Sequence, residues 1–123
     1  MDKSISNISG FEDLVDFIAL EYKPEKIILF GSSVSKTRGK GSDIDLLIIK
    51  KTSKRFVDRV VELMRLIRSR FGFQYQVEPL VCMPDEFRKA EKINSIFTRT
   101  VLSNGIVLYE KEYSSKEERA KMG

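Results

Sequence analysis

Two unbroken apolar runs, Ile27-Ile28-Leu29-Phe30 and Leu46-Leu47-Ile48-Ile49, constrain this 123-residue chain more than any other feature. Neither run alternates with polar residues, and each is too short for a helix. Both read as buried strands. Each also has a polar border. Gly31-Ser32 closes the first run, and Ser42-Asp43-Ile44-Asp45 opens the second.

Periodicity and punctuation place the remaining elements. Ser9 and Glu12 fit a capping box ahead of a helix whose Phe11, Leu14, Val15 and Ile18 share one face, ending near Tyr22 and Pro24. Ser32 caps a short helix to about Thr37, and Arg38 to Gly41 is a loop. The second strand spans Asp43 to Lys50. Thr52 or Ser53 then caps the longest helix, running to about Phe71, with Phe56, Val60, Leu63, Met64, Ile67 and Phe71 at helical spacing. Gln76 to Cys82 is a third strand, and Pro79 assigns it to an edge or a bulge. Pro84 opens the next helix, with Asp85 and Glu86 in its first turn. Asn94 caps another, carrying Ile96, Phe97, Val101 and Leu102, and Asn104-Gly105 stops it. Ile106 to Tyr109 is a last strand. The expectation is one domain over residues 1–110, of mixed α/β or α+β class, followed by a charged tail over 111–123.

Composition removes whole classes of chemistry. The chain holds no histidine. That excludes His-ligated zinc, Ser-His-Asp and Cys-His nucleophiles, and a histidine-dependent ribonuclease. The single Cys82 cannot form an intrachain disulfide, which points to a reducing compartment. No apolar run approaches the ~20 residues of a membrane span, and Met1-Asp2-Lys3-Ser4 has no signal-peptide pattern. A cytoplasmic protein without membrane association is expected.

The chemistry gathers at the strand borders. Asp43 and Asp45 are two apart on a strand, so both carboxylates point to one face, about 6–7 Å apart along the chain. Such a pair repels itself, and a hard divalent cation removes the repulsion. The pair adjoins a run buried on both faces, a costly place for charge without a ligand. Gly31-Ser32 follows a buried strand and enters a helix, which sets free backbone N–H groups and a hydroxyl where phosphate binds.

Taken together, Phe30-Gly31-Ser32, nine residues, then Ser42-Asp43-Ile44-Asp45-Leu46 resembles the minimal nucleotidyltransferases of the DNA polymerase β-like superfamily. The resemblance extends through Gln76-Val77-Glu78, where that family places a third metal-binding carboxylate. It continues through Met83-Pro84-Asp85-Glu86-Phe87 to Gly105-Ile106-Val107-Leu108-Tyr109. It implies a small mixed sheet packed by helices. It further implies that Asp43, Asp45 and Glu78 hold Mg²⁺, two ions, for transfer of a nucleoside monophosphate from ATP. Gly31 and Ser32 would cradle the β- and γ-phosphates, Ser42 would shape the loop or donate to phosphate, and Lys36 would pair with phosphate. Ser33, Ser35 and Lys36 stand where the family commonly has a small basic run after Gly-Ser and a glycine four residues after the serine, and Glu78 replaces a more frequent Asp.

Residues 50–71 hold eight bases and two acids, a net charge of +6 within a chain of +4. They form either a solvated helix face or a surface that steers nucleic acid or an acidic partner protein. No aromatics are interleaved with the bases, which disfavours single-strand binding. The active-site framework uses most of the chain, so the acceptor pocket is expected on another protein. Members of the resembled family are typically antitoxins partnered with HEPN-domain ribonuclease toxins, adenylylating a toxin tyrosine. The alternatives are an antitoxin that neutralises by binding alone, and an RNA-directed nucleotidyltransferase.

Overall fold

The computed structural model describes residues 10–31, 44–93 and 96–111. In chain order these form α1 (Glu12–Glu21), β1 (Lys26–Phe30), β2 (Ile44–Ile49), α2 (Phe56–Phe71), β3 (Val77–Cys82), α3 (Pro84–Ile93), α4 (Ile96–Asn104) and β4 (Ile106–Glu110). Ser9, Asn94, the short helix and loop expected over 32–41, and the tail beyond residue 111 lie outside the described residues.

The four strands form one mixed sheet in the order β3-β2-β1-β4. β1 runs antiparallel to both β2 and β4, while β2 and β3 are parallel and joined through α2, as a parallel pair requires a crossover. Strand alternation sorts the side chains between two faces. Ile27 and Leu29, Ile44, Leu46 and Ile48, Val77 and Val81 face α1 and α2, which contribute Leu14, Val15, Ile18, Leu63 and Ile67. Ile28, Leu47 and Ile49 face the other way, towards Phe87 of α3 and Val101 of α4. The two apolar runs lack alternation because helices cover both faces of the inner strands.

Pro79 sits where its chemistry predicts. The carbonyls of Gln76 and Cys82 accept from the N–H groups of Ile44 and Lys50, at 2.7 and 2.9 Å. Even-numbered β3 residues therefore turn their backbone towards β2, and Pro79 turns its missing N–H outwards on the edge strand. The strand irregularity falls elsewhere, between Ile27 and Ile28 against β4.

Two expectations are corrected in α2. The helix starts at Phe56 with Arg55 as N-cap and no side-chain cap; the Thr52 hydroxyl instead accepts the Lys54 N–H at 3.1 Å, closing the preceding turn. Phe56, expected in the core, is 47% exposed. The buried stripe is Arg59, Leu63 and Ile67, and Arg59 closes it at the N-terminal end.

The stop after α4 is steric. The Gly105 N–H donates to the Val101 carbonyl at 2.8 Å. A Cβ on Gly105 would stand 2.3 Å from that oxygen and 2.9 Å from Cγ2 of Ile28. Gly105→Ala therefore forces α4 off the sheet. It is expected to lose about 1–3 kcal/mol in urea unfolding, and an unchanged midpoint would show that α4 moves freely. Among the described residues no helix is long and apolar enough to cross a membrane.

Candidate functional site

β1 ends at Phe30, and the chain turns at Gly31 with φ +69°, a left-handed conformation that favours glycine. Phe30 is the register partner of Asp45 across the antiparallel ladder, so the turn lies beside that acid. A Cβ on Gly31 would stand 2.6 Å from Oδ2 of Asp45. Conformation and close approach both require glycine here.

On its other side, Asp45 is the register partner of Glu78 in the parallel β2–β3 pair. Neighbouring strands lie about 4.8 Å apart, and partners share a face. The next pairs in the same rows are Leu47 with Leu80 and Ile49 with Cys82, which enter the apolar cluster under α3 and α4. One face of the sheet thus runs from hydrophobic core at one end to two carboxylates at the other. Asp45 is half-buried and Glu78 exposed, so the acids meet solvent while their strands stay anchored. Adjacent carboxylates offer oxygen ligands of the kind hard divalent cations take, and such a cation offsets their repulsion.

Of the residues singled out from sequence, Gly31, Asp45 and Glu78 come together. Ser32, Lys36, Ser42 and Asp43 lie outside the described residues. Among the described residues no three potential metal-ligating side chains converge; two of the expected three carboxylates are present as neighbours. A cleft of about 730 Å³ lined by Lys51, Thr52, Ser53, Met83 and Arg88 sits at the opposite end of the sheet, beyond the C-terminal ends of β2 and β3.

Behind β3 lies a polar cluster that the basic run conceals. Arg59 is 6% exposed. Its Nε donates to the Lys54 carbonyl at 2.8 Å and its Nη1 to the outward carbonyl of Val81 at 3.1 Å. Nη1 and Nη2 also donate to the two oxygens of Glu86, at 2.8 and 3.2 Å. The hydrogen bond from Arg59 holds the Glu86 carboxyl below the usual carboxylate range, and the Met83 N–H adds to this. The Arg59 guanidinium ties α2 to β3 and to the first turn of α3. Its spacing of four from Leu63 and eight from Ile67 is the sequence signal that places it on the buried stripe. Nearby, burial pushes the Tyr22 phenol up to about 12, with the Glu62 charge adding to the effect.

No curated protein matches the chain. Among solved structures, it resembles one described as a toxin-antitoxin with AMP-PNP, at a TM-score of 0.55 and 19% identity, over 87% of this chain and 76% of that one. It also resembles a candidate nucleotidyltransferase from Sulfolobus solfataricus, at a TM-score of 0.56 and 20% identity, over 91% and 88% of the two chains. Both are likenesses of fold. Residues 12–114 match the family described as polymerase beta, nucleotidyltransferase; the chain belongs to that family.

Proposed function

We propose that this protein is a Mg²⁺-dependent nucleotidyltransferase that moves AMP from ATP onto a hydroxyl of a partner protein, acting as antitoxin to a HEPN-domain ribonuclease toxin. The observation that carries the reading is the placement of Asp45 between the Gly31 turn and Glu78. Family membership and a fold neighbour described as a toxin-antitoxin with AMP-PNP support it.

In this reading Asp43, Asp45 and Glu78 are the carboxylates that hold magnesium. Bound there, the metal supplies charge neutralisation at the triphosphate and a lowered pKa for the acceptor hydroxyl. The missing Cβ of Gly31 accommodates the Asp45 carboxylate while the turn offers backbone N–H to the phosphates, and Ser32, Ser42 and Lys36 bind their oxygens. The acceptor oxygen bonds to the α-phosphorus, the bond from that phosphorus to the leaving oxygen breaks, and pyrophosphate departs. The hydroxyl proton passes to solvent.

The test uses purified protein, its co-purifying partner, Mg²⁺ and ATP labelled at the α-phosphate. Label on the partner, with a mass increase of one AMP, is expected, and chelation abolishes it. A tight complex that acquires no label would overturn the enzymatic reading in favour of inhibition by binding. Label on RNA instead of protein would overturn the acceptor.

A further inference from the structure

The outer flank of α2 carries an apolar ridge set among cations. Val57 is 65% exposed and Val61, one turn on, 41% exposed. Val60 and Met64, both half-buried, join this ridge to the core. Val60, Val61, Met64, Arg65, Arg68 and Ser69 line a shallow groove of about 600 Å³. Among the described residues neither Arg65 nor Arg68 forms an ion pair. The Arg68 guanidinium lies 4.9 Å from the centroid of the exposed Phe73 ring. The acids of the helix are outnumbered on this side: Asp58 pairs with Arg55 at 3.5 Å, and Glu62 lines the adjoining groove with Val61 and Arg65.

We propose that this flank docks an amphipathic helix of an acidic partner protein, its apolar stripe against Val57, Val61 and Met64 and its carboxylates on Arg65 and Arg68. The argument is charge complementarity. Exposed valines beside two exposed guanidiniums, on a segment of net charge +6, suit an occupant that is apolar at the centre and anionic at its edge. Guanidinium–carboxylate pairs then fix its register and speed its capture. A second copy of this chain suits the flank less well, because a two-fold contact sets Arg65 and Arg68 against the same cations. A nucleic acid gains nothing from the valine ridge. α2 packs on the sheet face opposite that of Asp45 and Glu78, so docking here leaves the acids open and does not depend on the nucleotide-transfer reading.

The probe is a synthetic helical peptide of ~20 residues, with leucines at i, i+3, i+4 and i+7 and glutamates elsewhere. It is compared by fluorescence anisotropy with a scrambled peptide, a version with lysine in place of glutamate, and a single-stranded RNA. The acidic helix is expected to bind at least about tenfold tighter than all three. Val61→Asp weakens it by a similar factor, and the double change Arg65→Glu and Arg68→Glu switches the preference to the lysine peptide. All three positions are exposed, and circular dichroism with the thermal midpoint establishes that each variant is folded. Equal binding of the scrambled peptide overturns the proposal. So does RNA binding that needs the arginines but not Val61, or a wild-type dimer that Val61→Asp dissociates in sedimentation.

Discussion

Asp45→Asn is expected to yield a folded protein whose nucleotide transfer falls on the order of 10³-fold, about 4 kcal/mol in the barrier. The substitution keeps the shape of the side chain and removes its charge, so the turn at Gly31, 2.6 Å from Oδ2 when given a Cβ, meets no new bulk. What is lost is a carboxylate beside Glu78 at the mouth of β2. An amide is a poor ligand for magnesium, and the triphosphate then meets less positive charge. Stability moves the other way. Removing one of two adjacent acids relieves repulsion, so the urea midpoint holds or rises. The pattern of lost rate with retained stability separates a functional acid from a structural one. Initial rates of label transfer at saturating ATP and Mg²⁺, measured beside urea unfolding, give both numbers. Full activity in Asp45→Asn removes this residue from the site and, with it, the proposed role of Glu78.

Parts of this arrangement are legible in the sequence for definite reasons. The runs ending at Phe30 and Ile49 announce inner strands because burial on both faces erases alternation. Pro79 announces an edge because it lacks a donor, and Pro84 announces a helix start because the first helical N–H has no partner to lose. The neighbour relation of Asp45 and Glu78 is different. It depends on β2 and β3 pairing in parallel through α2, a long-range choice that local patterns do not encode. The resemblance to polymerase β-like enzymes places Glu78 on the third strand; the register shows which acid it adjoins. Arg59 stayed hidden for the opposite reason. Its charge placed it among the basic residues of the helix, while its helical position placed it on the buried stripe, and position prevailed because Glu86 and two carbonyls satisfy the guanidinium. Phe56 was displaced in the same exchange, and its ring centroid lies 6.0 Å from the Arg59 guanidinium carbon.

Loss of that guanidinium is expected to destabilise the fold about as much as truncating a buried core aliphatic. Arg59→Ala leaves the carbonyls of Lys54 and Val81 without their donors and vacates a site that is 6% exposed. Removing one partner of a fully buried pair costs about 3–5 kcal/mol. Here Glu86 is 45% exposed and rehydrates, which favours the lower end, about 3 kcal/mol. At roughly 4 °C per kcal/mol that is a fall of about 12 °C in midpoint. Arg59→Lys does not restore it, because a single ammonium cannot serve Glu86 in bidentate fashion and two carbonyls as well. The pH dependence carries a matching signature. Glu86 is held below its ordinary range in the folded state, chiefly by the Arg59 hydrogen bond. Its contribution is therefore complete above the ordinary glutamate range and is lost as pH falls through the lowered folded value. At the alkaline end Tyr22, raised to about 12, contributes below its ordinary value of 10 and loses that contribution as pH climbs through the raised one. Its hydroxyl donates to the Arg59 carbonyl at 3.4 Å, so both limbs report on one cluster. Glu86→Gln should flatten the acid limb alone, with a smaller loss at neutral pH because the Met83 N–H and the guanidinium keep an oxygen acceptor. Arg59→Ala should lower the whole curve and flatten the acid limb with it. Unfolding at an unaltered urea midpoint across that range would show that packing of Leu63 and Ile67 holds α2 on the sheet without the guanidinium.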